Sequence, residues 1–90
     1  MRHIKIRVYG QVQGVFFRQS AQEKAEELDV VGWTRNEDDG SVYIEAEGES
    51  GALEKFLEWC WQGSPAASVS QVEHEFTDNL QDFQEFKIKY

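Results

Sequence analysis

The strongest constraint on the fold is a change of hydrophobic period between residues 12 and 17. Over 4–12, polar residues alternate with apolar residues that share one face: Ile4, Ile6, Val8 and Val12. From residue 17 onward the apolar residues recur at helical spacing: Phe17, Ala21, Ala25 and Leu28. Alternation indicates a half-buried strand, and helical spacing indicates an amphipathic helix. The sequence therefore predicts a strand over 4–12, a turn over 13–16 and a helix that ends before Val30.

A β-hairpin is predicted to follow this helix. Residues 30–36 are typical of a strand, with Val31 and Trp33 on one face, and residues 41–48 alternate again. The connection between them closes with Asp39 and Gly40, a pair that favours a tight hairpin turn. We therefore expect these two strands to be antiparallel neighbours.

A second helix and two further strands complete the predicted elements. The apolar stripe of the helix comprises Leu53, Phe56, Leu57, Cys60 and Trp61. Ser50 is expected to be its N-cap, and Gly63 suits its C-terminal stop. Two later groups of apolar residues predict strands: the unevenly spaced Val69, Val72 and Phe76, then Phe86, Ile88 and Tyr90. The uneven spacing of the first group predicts an irregularity such as a bulge.

The order of these elements is β-α-β-β-α-β with an additional C-terminal strand. Two β-α-β units whose helices are amphipathic form a two-layer sandwich, with both helices on one side of an antiparallel sheet. We therefore predict an α+β protein of the ferredoxin-like type. A chain of 90 residues has room for one domain, spanning residues 1–90.

This topology brings two distant polar residues to one edge of the sheet. The first helix starts where the first strand ends and runs back, so the second strand must end at the same edge. Arg18 begins the helix and Asn36 finishes the second strand. We expect these two residues to converge beside the turn at 13–17.

Composition excludes several classes of partner. The chain carries 17 acidic and 9 basic residues, a net charge of −8, which argues against nucleic acid and anionic membranes. Cys60 is the only cysteine, so neither an intramolecular disulfide nor a Cys-x-x-Cys motif is possible. The chain lacks the hydrophobic stretch of a signal peptide or a membrane helix. We expect a cytoplasmic protein, with a monomer as the simplest state.

The turn before the first helix has the features of an anion-binding loop. Gly10 and Gly14 allow the backbone to curl, so that several N–H groups point into one concavity at the positive end of a helix. Arg18 adds a guanidinium that matches phosphate oxygens. Glycine turns and solvated arginines are also common without any function, so this pattern alone leaves both interpretations open.

Asn36 has two interpretations. An amide at a strand end both donates and accepts hydrogen bonds, so it can orient a water molecule. An asparagine before an acidic turn can equally bond its local backbone. The residue type does not decide between the two.

The motifs that are missing narrow the possible chemistry. The turn is neither a Walker A loop nor G-x-G-x-x-G, and neither His3 nor His74 belongs to a metal-binding cluster. We therefore expect no metal and no cofactor. An acyl phosphate releases a carboxylate, whose conjugate acid has a pKa of about 4, so no proton need be delivered to it. A site made of amides, an arginine and an asparagine could hydrolyse such a mixed anhydride.

Several segments resemble the acylphosphatase family across nearly the whole chain. The first family signature is similar to VYGQVQGVFFR, residues 8–18, and the second to GWTRN, residues 32–36, followed by Gly40, Val42 and Gly48. Residues 64–69 and 86–90 also resemble the family's closing segments. Thr34 stands where the family usually has a small apolar residue, and Ser64 replaces a common proline.

The resemblance implies an enzyme that hydrolyses acyl phosphates to a carboxylate and inorganic phosphate, without cofactor or metal. It implies that Arg18 binds the phosphoryl group together with loop amides, and that Asn36 orients the attacking water. The implied phosphate-binding residues are Gln13, Gly14, Val15, Phe16, Phe17 and Arg18. The alternative is a non-catalytic ferredoxin-like module that binds an anion or another small ligand at the same edge. An RNA-binding domain that uses Tyr9 and Tyr43 is disfavoured by Glu45 and Glu47 beside Tyr43 and by the net charge of −8.

Overall fold

All the predicted helices and strands are present. The computed structural model describes residues 1–90. The strands are β1 (Arg2–Gln11), β2 (Val31–Asn36), β3 (Val42–Gly48), β4 (Ser68–Thr77) and β5 (Phe86–Lys89). The helices are α1 (Phe17–Glu27) and α2 (Ser50–Gln62). Neither helix is long and apolar enough to cross a bilayer.

The strands form one mixed sheet in the order β4-β1-β3-β2-β5. Neighbours among β1, β2, β3 and β4 are antiparallel, which confirms the predicted ferredoxin-like arrangement. The short C-terminal strand β5 pairs parallel to β2, so the complete sheet is not purely antiparallel. This parallel pairing places the C-terminal residues beside the end of β2, where Asn36 lies.

Both helices cover the apolar face of the sheet. Sixteen buried residues form one core cluster. Ile4, Ile6 and Val8 of β1 are almost completely buried, as their alternation predicts, and α1 packs against the core through Ala21 and Ala25. These small side chains allow α1 to approach the sheet closely. The packing therefore fixes the N-terminus of α1 at the end of β1.

A bulge in β4 explains the uneven spacing of its apolar residues. The register between β1 and β4 shifts just before Gly10, which pairs with Val69 and leaves Ser70 as the extra residue. Gly10 has φ +124°, and a Cβ there would lie 2.2 Å from a backbone oxygen of β4. Only glycine fits this close approach. The predicted irregularity is confirmed.

The packed face of α2 differs from the prediction at one tryptophan. Phe56 and Cys60 are fully buried as predicted, but Trp61 is 49% exposed. Trp59 packs instead, with its ring centroid 5.1 Å from that of Phe17. At about 100° per residue, Trp59 and Trp61 flank the buried stripe at nearly equal angles. Phe17 at the start of α1 lies on the Trp59 side, so tertiary packing selects Trp59.

The predicted N-terminus of α2 is wrong by one residue, whereas its predicted C-terminus is confirmed. Ser50 is the first helical residue and not the N-cap, because Glu49 occupies that position without a side-chain hydrogen bond. The expectation for Ser50 was wrong by one position. Gly63 ends the helix with φ 74°, as predicted, and its N–H donates to the carbonyl of Trp59.

A buried polar cluster anchors the segment that leads into β5. His3 is 2% exposed, and its Nδ1 lies 2.7 Å from Oε2 of Glu47. Nε2 of His3 lies 3.0 Å from Oε1 of Glu45. The Glu47 carboxylate also accepts hydrogen bonds from the backbone N–H groups of Gln81 and Phe83. Glu47 therefore ties the β4–β5 connection to the sheet.

Glu47 makes the fold sensitive to acid. Burial alone would raise its pKa, but the N–H of Gln81, the His3 ring and the N–H of Phe83 together hold the pKa of this carboxyl below its ordinary value. A lowered folded-state pKa stabilises the protein above the unfolded-state value of about 4.5. This stabilisation is lost as the pH falls from there through the folded-state pKa.

We predict that Glu47→Gln lowers the free energy of unfolding at pH 7 by about 1–3 kcal/mol, because buried donors lose a charged acceptor. The same substitution should flatten the decline in stability below about pH 4.5. Urea unfolding at a series of pH values measures both effects. Glu75→Gln, at an exposed position of β4, is the control and should leave stability nearly unchanged. Equal acid sensitivity of Glu47→Gln and the wild type would contradict the prediction.

Candidate active site

A cavity of about 320 Å³ opens at the sheet edge where β1 and β2 end. It is lined by Val12, Gly14, Phe16, Phe17, Arg18, Gln19, Asn36, Ile88 and Tyr90. Arg18 and Asn36 thus share one cavity, as the topology predicts. A larger groove of about 640 Å³ lies between the helices and contains none of the predicted site residues.

The loop before α1 presents unpaired backbone N–H groups. Gly14 has φ +75° and Phe16 has φ 62° and ψ 26°, so both residues adopt left-handed conformations. The N–H groups of residues 13–16 donate to no other group of the chain, and the first hydrogen bond of α1 runs from Ser20 to the carbonyl of Phe16. Successive free N–H groups in a curled backbone form a concave anion site.

Arg18 is the one arginine of the chain without a carboxylate partner. Arg2 pairs with Asp78, while Arg7 and Arg35 both pair with Glu37. The Arg18 guanidinium is held instead by neutral groups of the C-terminal segment: the main-chain oxygen of Lys89 and the ring of Tyr90. Its charge therefore remains available to an anionic ligand.

Two contacts set the orientation of this guanidinium. Nη1 of Arg18 donates to the carbonyl of Lys89 over 3.0 Å, and the guanidinium carbon lies 4.9 Å from the centroid of the Tyr90 ring. Neither contact neutralises the charge, and both favour the observed orientation of the side chain. Strand β5 therefore contributes to the site through its position beside β2.

Asn36 directs an unsatisfied acceptor into the protein interior at this cavity. Its Oδ1 is buried and has no hydrogen-bond partner. This oxygen does not cap the following turn, which was one interpretation of the sequence. Asp39 caps that turn instead, because its carboxylate accepts hydrogen bonds from the N–H and hydroxyl of Ser41. These bonds also hold the pKa of Asp39 below its ordinary value.

The side chain of Gln13 connects the loop to the hairpin through hydrogen bonds. Its Nε2 donates to the carbonyls of Glu37 and Ser41 over 2.8 and 2.9 Å. The side chain is therefore occupied, and only the main chain of Gln13 is free for a ligand. These two hydrogen bonds link the loop before α1 to the turn that follows Asn36. No pattern in the sequence indicates this side-chain role.

The other loop residues also offer main-chain rather than side-chain groups. The Val15 carbonyl accepts a hydrogen bond from Oγ of Ser64 over 2.7 Å. The Phe16 side chain is 74% exposed, whereas Phe17 is buried in the core. In the sequence, Ser64 stands out only as a departure from a family pattern. Its contact depends on how the α2–β4 connection packs behind the loop.

The fold and the cavity together describe a ferredoxin-like protein with a candidate anion-binding loop at a helix N-terminus. The family model described as acylphosphatase matches residues 4–88. The chain therefore belongs to the acylphosphatase family, an enzyme family that hydrolyses acyl phosphates, which confirms the resemblance seen in the sequence.

Individual relatives agree with this assignment. The acylphosphatase of Shewanella amazonensis is 58% identical over 73 residues, covering 81% of this chain and 80% of that protein. The acylphosphatase of Pelotomaculum thermopropionicum is 47% identical over 83 residues, covering 92% and 90%. The crystal structure of acylphosphatase from Bacillus subtilis matches the whole of both chains with a TM-score of 0.98 at 39% identity.

Thr34 lies on the same face of β2 as Asn36, as the alternation predicts. Thr34 is fully buried, and its hydroxyl oxygen has no hydrogen-bond partner. A buried hydroxyl without a partner carries an uncompensated desolvation cost. The residue that departs from the family pattern is therefore a source of instability.

We predict that Thr34→Val raises the free energy of unfolding by about 1–2 kcal/mol, because a methyl group replaces the unpaired hydroxyl at similar volume. Chemical denaturation measures this change. Thr77→Val is the matched control, since the Thr77 hydroxyl accepts a hydrogen bond from the N–H of Asn79 and should not gain stability when removed. A loss of stability in Thr34→Val would contradict this assignment.

Proposed function

We propose that Arg18 and the backbone N–H groups of residues 13–18 bind the phosphoryl group of an acyl phosphate, while Asn36 orients the water that attacks it. The observation that carries this proposal is that Asn36 lines the same cavity as Arg18 and the loop. An amide side chain both donates and accepts hydrogen bonds, so it can orient a water molecule beside the bound phosphate.

Local electrostatics favour phosphate binding despite the net charge of −8. Opposite unit charges about 4 Å apart attract by about 4 kcal/mol near a protein surface. Exposed carboxylates farther than about 8 Å from the phosphate are largely screened at physiological salt. Arg18 has no internal carboxylate to compete with the ligand. The nearby guanidinium and aligned N–H groups therefore outweigh the distant acidic residues.

The chemical step follows from these positions. The oxygen of the water attacks phosphorus, and the bond from phosphorus to the acyl oxygen breaks. The electron pair of that bond leaves with the carboxylate, while a phosphate oxygen of the substrate accepts the proton of the water. Arg18 and the loop amides stabilise the charge on the phosphoryl oxygens throughout the transfer. The products are a carboxylate and inorganic phosphate.

We infer that this reaction needs neither a protein base nor a metal. The side chains that line the cavity include no carboxylate, imidazole or thiol. A carboxylate leaving group departs without a proton. His3 belongs to the Glu47 cluster, and His74 packs against Phe76 on β4, so neither imidazole lines the cavity. Catalysis then rests on positioning the water beside the phosphoryl group and on stabilising the charge of the phosphoryl oxygens.

We also infer a small-molecule acyl phosphate as substrate and a cytoplasmic monomer, comprising one acylphosphatase-like unit over residues 1–90, as the acting form. A site of about 320 Å³ suits a small ligand. The lone Cys60 is buried, where burial raises the pKa of its thiol, so it is an inert core residue. These features support a reducing compartment and a self-contained site.

We predict that Asn36→Ala lowers kcat for benzoyl phosphate by about 100- to 1,000-fold with little change in KM, because the attacking water loses its orienting group. Arg18→Ala should raise KM and lower kcat together, with kcat/KM reduced by about 1,000-fold or more. Ultraviolet absorbance follows the hydrolysis, and EDTA in every assay tests independence from metals.

Two matched variants serve as controls for these substitutions. Arg35→Ala removes an exposed arginine on the opposite face of the sheet, and Asn79→Ala removes an exposed asparagine after β4. Both should retain near wild-type kinetics. Wild-type protein that binds inorganic phosphate without hydrolysing benzoyl phosphate would make the chain a non-catalytic anion-binding module and overturn the proposed mechanism.

A further inference from the structure

Ser64 makes a buried contact with the back of the anion-binding loop. Ser64 is 3% exposed, and its Oγ donates to the carbonyl of Val15 over 2.7 Å. It lines the groove between the helices, not the cavity that contains Arg18 and Asn36. Ser64 therefore touches the loop from the side opposite the cavity.

The hydrogen bond determines where the next N–H group points. In a trans peptide the carbonyl of Val15 and the N–H of Phe16 point in opposite directions within one plane, and the chain contains no cis peptide. A carbonyl directed at Ser64 thus turns the N–H of Phe16 away from Ser64. That N–H donates to no group of the chain, and Phe16 lines the cavity.

The loop needs such a restraint because its conformation is unfavourable. Phe16 is left-handed with φ 62°, a conformation that costs a residue with a Cβ free energy. The Val15 carbonyl has no backbone partner that would otherwise hold this peptide plane. The bond from Ser64 is therefore the specific polar restraint on the Val15–Phe16 peptide.

Ser64 is itself held firmly in place. Gly63 ends α2, and a Cβ on Gly63 would lie only 3.3 Å from the Phe17 ring, so the connection packs directly against the start of α1. The carbonyl of Ser64 accepts a hydrogen bond from the N–H of Ala67 over 2.9 Å, which closes a turn. The hydroxyl is thus presented from a rigid connection between α2 and β4.

We propose that Ser64 is a positioning residue for phosphate binding: its hydroxyl fixes the Val15–Phe16 peptide so that the Phe16 N–H points at the phosphoryl group. The proposal rests on the proposed function of the loop. Ser64 does not contact the substrate. It acts by keeping the N–H of Phe16 oriented towards the cavity before the phosphate binds.

The test compares Ser64→Ala with Ser64→Thr, which keeps the hydroxyl. We expect Ser64→Ala to raise both the Kd for inorganic phosphate and the KM for benzoyl phosphate by about 3- to 10-fold, as for one lost hydrogen bond. The fall in kcat should be smaller than the rise in KM. The Phe16 amide resonance should shift less on titration with inorganic phosphate, and Ser64→Thr should restore the Kd towards the wild-type value.

The variant Val72→Ala shows whether a loss of stability alone weakens phosphate binding. Val72 is buried in β4 and contributes no group to the loop, so this variant loses stability while its Kd for inorganic phosphate stays at the wild-type value. A Kd for Ser64→Ala within twofold of wild type would overturn the positioning role and leave the proposed function intact. Wild-type protein that neither binds inorganic phosphate nor hydrolyses benzoyl phosphate would overturn both proposals.

Discussion

The left-handed backbone at Gly14 and Phe16 is the constraint on which the site depends. It turns consecutive N–H groups towards one cavity and leaves them without partners in the chain. For a residue with a Cβ this conformation costs about 1–2 kcal/mol, so the surrounding structure must hold it. Three contacts stabilise this backbone: the buried side chain of Phe17, the hydrogen bond from Gln13 to the hairpin, and the hydrogen bond from Ser64 to Val15.

The fold separates the chemical tasks among different elements. In the proposed mechanism, the loop supplies neutral donors, α1 supplies the charge of Arg18, and the end of β2 supplies the amide of Asn36. Strand β5 orients Arg18 through neutral groups, so the guanidinium keeps its charge for a ligand. The Glu47 cluster anchors the segment that precedes β5.

The sequence predicted the parts of this arrangement that follow from periodicity and direction. Alternation located the strands, and strand direction alone brought Arg18 and Asn36 to one edge. The contact of Ser64 with Val15 was not predictable, because it depends on how a connection packs against a loop distant in sequence. The support of Arg18 by Lys89 was missed for a similar reason, since no local pattern indicates that β5 joins parallel to β2. Trp59 and Trp61 were indistinguishable by helical angle, and only the position of Phe17 decides between them.

The proposed mechanism requires a water molecule beside Asn36 to attack phosphorus rather than the acyl carbon. Hydrolysis of benzoyl phosphate in ¹⁸O-labelled water distinguishes these two routes, because the label marks the atom that was attacked. We expect the label to appear in inorganic phosphate and the benzoate to remain unlabelled. Label in the benzoate carboxylate would show attack at the carbonyl carbon and contradict the arrangement of Arg18, the loop amides and Asn36 around the phosphoryl group.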